Sequence, residues 1–439
     1  MHADQSPPLT VIDRRYSRRR AYQNGLVWAL GNGLTSSSLV IYLALELGAS
    51  GVGIGISLIL AAPRIAGLLR LAAPALIRWC GDRKRFCLGA YLSSNLVLLL
   101  LPTCVLVKTS ATPEWGLAVL VAAWCVYHLL EYLATVALWS WFGDLVPLPV
   151  RGRFFGRRER WMVTGQAGGM LVAALFTFYA RDLWPQLPKW AVYAMSAEAG
   201  VACMILSLIP LARMADPKRQ PAQPSILHEN PIRRLFAPLS DGRFRRLIYF
   251  GCWFSFFNGV TQSVQYLYPA RVLLVSLFVM LALKTGMRLG QLGISPTAGR
   301  LADHYGNRAV MLVSLPIVAT GPLFFFFATP EAWYWMIGAW VVWIAYAGLN
   351  VALPNLMLKL SPGEQKTGYI VSYYAISGLA VALGTILGGL LFDRYGDIQL
   401  TLTDGLKLDF YQASFLFGWI TRTLGVVWLL LIVEPRRQP

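Results

Sequence analysis

The sequence predicts an all-α membrane protein with twelve transmembrane helices in two pseudo-symmetric six-helix bundles. Three observations carry this. Apolar types make up 56 % of the 439 residues and charged types only 14 %, against about 25 % charged in a soluble domain. The mean hydropathy is +0.53. Second, apolar runs of bilayer-spanning length recur along the chain; they are continuous, whereas barrel strands alternate. Third, Lys and Arg collect in every other loop, and the loops between are poor in base. The abundance of Leu, Ile, Val, Phe and Trp excludes a disordered chain.

In order, span 1 covers about 21–46, span 2 about 51–77, span 3 about 86–107, span 4 about 115–142, span 5 about 160–180 and span 6 about 190–212. A polar, Pro-rich stretch follows. Span 7 is about 247–268, span 8 about 271–297, span 9 about 308–328, span 10 about 332–358, span 11 about 368–391 and span 12 about 411–433. The domain plan is a disordered tail 1–20, a bundle 21–213, a linker 214–246, a bundle 247–433 and a tail 434–439.

Basic segments (RRYSRRR, GDRKR, RGRFFGRRER, GRLADHYGNR, EPRRQP) alternate with short, base-poor ones (ELGAS, YPAR, ATPEAW) at every span. The positive-inside rule then places both termini and the linker in the cytoplasm and the chain in the cytoplasmic membrane. The formal charge of +18 is read as topogenic rather than as nucleic-acid binding, because no nucleic-acid motif accompanies it. The six cysteines form no CxxC or Cys/His cluster, so neither a disulfide framework nor a zinc site is expected. No Walker-type GxxxxGK[ST] is present, which excludes ATP as the energy source. No cofactor is expected. The N-terminus has no apolar core before its basic run and is not a signal peptide.

The chain repeats itself. Asn32-Gly33-Leu34-Thr35-Ser36-Ser37 in span 1 matches Asn258-Gly259-Val260-Thr261-Gln262-Ser263 in span 7. Gly81 and Gly306, in the loops after spans 2 and 8, stand at the same offset within one residue, and Arg83 then falls on Arg308. Two markers at one offset argue for duplicated halves in parallel topology. With this 6+6 arrangement and the segment GRLADHYGNR, the chain resembles the major facilitator superfamily. In the first half Arg78 stands where the signature has Asp. The loop RGRFFGRRER resembles the basic loop between spans 4 and 5 of many members. The resemblance implies a rocker-switch transporter with a central cavity, and not an enzyme; it leaves the cargo open.

Charges deep in a span cost about 2.5–3.5 kcal/mol each and so demand a partner, water or a function. Arg64 lies mid-span 2 and Arg70 nearer its basic end. Lys284 and Arg288 lie mid-span 8, one turn apart on one face. Arg64 precedes Gly81 by 17 residues and Arg288 precedes Gly306 by 18, so the two arginines occupy similar depths. If both face the cavity they form an anion clamp, since guanidinium is always charged and presents a planar fork. Within the resemblance, anion-carrying branches use paired arginines in this way. Internal pairing is the alternative, but with Arg422 counted five deep cations face only Glu131 and Glu198. Asn32, Asn258 and Gln262 add neutral hydrogen-bonding groups to the expected substrate site, and Glu131 is the candidate for proton coupling. Asp303 with Arg300 and Arg308, and Asp144 with Arg151 or Arg153, are expected to form an inner gate.

The sequence therefore points to a monomeric, alternating-access secondary carrier of a small organic or inorganic anion, proton-coupled and embedded in a lipid bilayer. Alternatives are an exporter of amphipathic drugs, a carrier of a neutral sugar and, from another class, a membrane-embedded lipid-linked transferase.

Overall fold

The computed structural model describes residues 10–48, 51–68, 73–110, 112–217, 235–362, 366–403 and 406–434. Ten helical stretches among them are long and apolar enough to cross a membrane, and Val52–Leu68 is a shorter apolar helix. The twelfth segment, Gly242–Arg271, is long enough but dilutes its apolar run with Asn258, Thr261, Gln262, Ser263 and Gln265. Among the described residues the fold is helical apart from one antiparallel hairpin, β1 (Gln399–Thr403) with β2 (Leu406–Asp409), in the loop before the last span.

Several predicted spans are broken. Span 1 consists of α1 (Val11–Leu34) and α2 (Ser37–Glu46). The Ser/Thr cluster between them leaves helical geometry, and its hydroxyls bond elsewhere: Thr35 donates to the Ala197 carbonyl at 3.0 Å. Span 2 is α3 (Val52–Leu68) followed by α4 (Ala73–Cys80), and span 3 is α5 (Arg83–Leu98) followed by α6 (Thr103–Ser110). Then come α7 (Pro113–Leu145), α8 (Leu148–Leu183), α9 (Lys189–Leu206) and α10 (Leu208–Ala212). The second half has α11 (Gly242–Arg271), α12 (Leu277–Tyr305), α13 (Asn307–Ala319), α14 (Gly321–Phe327), α15 (Trp335–Val342), α16 (Tyr346–Leu360), α17 (Lys366–Tyr395) and α18 (Phe410–Leu430).

Two expectations need correction. The tail 1–20 was to be disordered, yet α1 starts at Val11. Thr10 and Asp13 form a capping box, each side chain accepting from the other's backbone N–H, which satisfies donors that a helix start leaves open. The segment RGRFFGRRER is not a loop either. Pro147 and Pro149 start α8, and the basic residues are its first turns. One consequence is that Arg158 is buried, 7 % exposed, with its guanidinium 5.1 Å over the Phe142 ring.

The internal repeat has a physical meaning in the packing. Gly33 sits where α1 crosses α8, and an added Cβ would strike the backbone at Gln166 and Met170. Gly259 sits where α11 crosses α17, and an added Cβ would strike the backbone at Val381 and Thr385. The duplicated glycine thus permits the same close crossing in each half. Gly81 and Gly306 both have positive φ, +73° and +93°, which lets the chain turn sharply between helices without a Cβ clash.

The glycine turns lie on what we term the basic face. There Arg83 bonds Asp144 at 2.5 Å and Asp216 at 2.8 Å. In the other half Glu434 accepts from the backbone N–H of Asn307 and Arg308 and from Lys359 at 2.7 Å. The two halves meet along α3–α17 and α8–α12. Hydrogen bonds tie them at the opposite face. Both carboxylate oxygens of Asp393, near the end of α17, accept from the first N–H groups of α3, Gly53 at 2.9 Å and Ile54 at 2.7 Å. Tyr42 donates to the Val275 carbonyl at 2.7 Å, and deeper in, the hydroxyls of Ser57 and Ser263 lie 2.7 Å apart.

Candidate functional site

A cavity of about 690 Å³ lies between the halves, within the range of small-molecule sites. Arg64 reaches it from α3, Lys284 and Arg288 from α12, and Asn258 and Gln262 from α11. Five of the six residues expected at the substrate site therefore share one chamber. The sixth, Asn32, stands one hydrogen bond behind it: its Oδ1 accepts from Gln166 Nε2 at 3.0 Å, and Gln166 lines the wall.

Each cation is held by local structure. Pro63 cannot donate to the Ile59 carbonyl four residues earlier. Trp124 Nε1 donates to that carbonyl instead, at 2.9 Å, and Arg64 projects from the helix just beyond this site. Lys284 Nζ donates to Ser38 Oγ of the other half at 3.3 Å. Arg288 Nη1 donates to Gln291 Oε1 at 3.4 Å, and Gln291 Nε2 donates to the Trp343 carbonyl at 3.0 Å. That carbonyl also accepts from the Tyr346 N–H in the tight turn Trp343–Ala345, so the Gln291 amide is its second donor. Arg64 and Arg288 are exposed to the chamber and Lys284 is half-buried. Among the described residues that line the cavity, three are cations and none is a carboxylate.

Six aromatic side chains also line the cavity: Tyr132 from the first half, and Tyr266, Phe325, Trp340, Trp343 and Tyr346 from the second. Behind the α11 wall Arg422 is fully buried and donates to Thr261 Oγ1, which also accepts from Gln265 of the cavity wall.

Glu131 is not among the residues lining this chamber. It lies in a smaller pocket of about 120 Å³ with Asn24, Tyr91, Thr135 and Arg158. Thr135 donates to its Oε1 at 3.0 Å. On the basic face Asp144 is paired with Arg83, on the neighbouring helix α5. Arg153 is exposed. Arg70 lies outside the described residues, as do the side chains of Arg78 and Arg151. Arg308 donates to the carbonyls of Leu429 and Leu430, Arg300 to Thr297, and Asp303 is exposed beside them in sequence.

Sequence reasoning missed Gln291 and buried Arg158. Gln291 follows Lys284 and Arg288 at helical spacing, so the stripe could have been extended one turn. Arg158 stood hidden in a run of exposed arginines.

Residues 274–439 match the family described as Major Facilitator Superfamily. A 115-residue stretch is 32 % identical to the tetracycline resistance protein, class H, of Pasteurella multocida; the match covers 26 % of this chain and 28 % of that protein. The fold is similar to that of a D-xylose-proton symporter, with TM-score 0.69 and 14 % identity over 96 % of this chain and 98 % of the other. It is also similar to the nucleoside transporter NupG, with TM-score 0.65 and 15 % identity over 96 % and 98 %. The family match is confined to residues 274–439, while the two solved structures share the fold along 96 % of the chain.

Proposed function

We propose that the chain carries a small organic or inorganic anion across the membrane by alternating access, coupled to protons. One observation carries the anion reading: Arg64, Lys284 and Arg288 share a chamber whose described lining holds no carboxylate. Cations taken out of bulk water want a counter-charge, and cargo is the counter-charge that can come and go. The arginines offer bidentate donors to carboxylate, phosphate or nitrate, while Asn258 and Gln262 donate to or accept from neutral groups of the same cargo. Glu131, grouped with Arg158 outside the main chamber, is the proposed proton site.

Bonds at the opposite face and basic loops in the cytoplasm correspond to a state open to the cytoplasm. In the alternate state the Asp393 contact opens, and the proposed gate of Asp303, Arg300, Arg308, Asp144 and Arg153 closes the cytoplasmic end.

A second reading has its own support. The tetracycline resistance relative and the aromatic wall of Trp340, Trp343 and Tyr346 favour export of amphipathic compounds. A thermal-shift panel of inorganic anions, small carboxylates, sugars and cationic dyes separates the two, because a ligand that binds the folded state raises its melting temperature. The anion reading expects anions alone to stabilise. Stabilisation by dyes or sugars with no response to any anion would refute it.

A further inference from the structure

The transport reading leaves unused a strongly basic surface, the first turns of α1. Together α1 and α2 span 36 residues, Val11–Glu46, or about 54 Å at 1.5 Å per residue. The hydrocarbon layer is only about 30 Å thick. The apolar run of α1 begins at Gly25, so Arg18 and Arg19 stand roughly 9–11 Å outside it, at headgroup depth. Arg15 stands one turn farther, with a side chain long enough to reach back.

Ile12, Arg15, Tyr16 and Arg19 recur at positions i, i+3, i+4 and i+7 and so share a face. Other positions of the segment are packed: Ser17 accepts from the Ala215 N–H at 3.1 Å, and Ala21 and Asn24 are buried. The shared face, with Arg18, Tyr22 and Arg157 of α8, lines a groove of about 680 Å³. The Arg157 guanidinium lies 5.4 Å over the Tyr22 ring, which fixes it at the groove wall. The described lining holds four guanidinium groups and no carboxylate. Asp13, on the same segment, is engaged in the capping box with Thr10.

We infer that this groove binds the phosphate of an anionic phospholipid headgroup. Four guanidinium charges with no carboxylate in the described lining call for an anion, and guanidinium forks match phosphate oxygens. The source is the bilayer rather than solution, because α1 and α8 both enter the membrane beside the groove and tyrosines suit the headgroup layer. The site lies wholly within the first half, so it does not depend on the cargo.

The test uses the purified full chain in detergent micelles, melted with added phosphatidylglycerol, phosphatidylcholine or inorganic phosphate. Phosphatidylglycerol is expected to raise the melting temperature while the other two leave it unchanged. In Arg15→Gln/Arg19→Gln/Arg157→Gln the apparent affinity for phosphatidylglycerol should fall about a hundred-fold. The matching triple Lys variant, which keeps the charge, should retain most of it. Should the triple Gln variant not fold, Arg19→Gln alone, at an exposed position, should lose about five-fold. Equal stabilisation by phosphatidylcholine, an equal response to inorganic phosphate, or undiminished affinity in the Gln variants would overturn the assignment.

Discussion

At the residue scale the decisive fact is where three cations point. Arg64 and Arg288 come from different halves, at nearly matching depths, and open onto one chamber. Replacing either by Ala removes charge-assisted hydrogen bonds worth about 1.5–3 kcal/mol, so anion affinity should fall about ten- to hundred-fold for each in a calorimetric titration. Gln291→Ala should cost less. It leaves Arg288 charged but frees it from the Trp343 carbonyl through which Gln291 anchors it. A loss of about three- to ten-fold is expected, with the Arg288→Ala background abolishing the effect, the signature of two residues acting as a unit.

At the scale of elements, the close crossings and the face opposite the basic loops decide stability and motion. Gly259→Val forces a side chain into the backbone of α17, and overpacking of this kind costs about 1–3 kcal/mol. Gly33→Val should cost a similar amount at α8, and a thermal melt of both variants checks the equivalence of the halves. Asp393 presents a carboxylate to the N-terminus of α3, where the helix dipole and two free N–H groups favour it. Asp393→Ala should weaken closure there and raise the labelling rate of a cysteine placed at Ser57 several-fold; an unchanged rate would remove Asp393 from the closing contacts.

The repeat at Asn32 and Asn258 was legible in the sequence because a close helix crossing needs glycine whatever surrounds it. The breaks within spans 1, 3, 9 and 10 were not, because continuous apolar runs carry no periodic signal that marks an interruption. Arg158 escaped for a related reason. Burial of one arginine among five in RGRFFGRRER depends on Phe142 and Met162 of the folded bundle, which touch it. The cavity cations were visible because a charge inside an apolar run has to be explained; their shared chamber needed the three-dimensional arrangement that sets α3 and α12 around one cavity.

At the scale of the whole molecule, duplicated halves end in comparable polar clusters on the basic face. In the second half burial opposes ionisation of Glu434, but the hydrogen bonds from Arg308, Lys359 and Asn307 outweigh it and hold the carboxyl below its ordinary value of 4.5. A depressed carboxylate pKa stabilises the fold fully above the ordinary value, and that contribution fades as pH falls through the native value. Glu434→Gln should therefore lower stability by about 1–2 kcal/mol at pH 7 and flatten the fall in melting temperature between pH 5 and pH 3. A parallel fall in variant and parent would remove Glu434 from the pH response.

The anion clamp is tested most directly by equilibrium binding of whichever compound stabilises the protein, measured on the parent chain, Arg64→Ala and Arg288→Ala. Saturable binding of a negatively charged compound to the parent, with at least a ten-fold loss in each variant, is the predicted result. Undiminished affinity in both variants, or a neutral or cationic compound as the bound species, would contradict it.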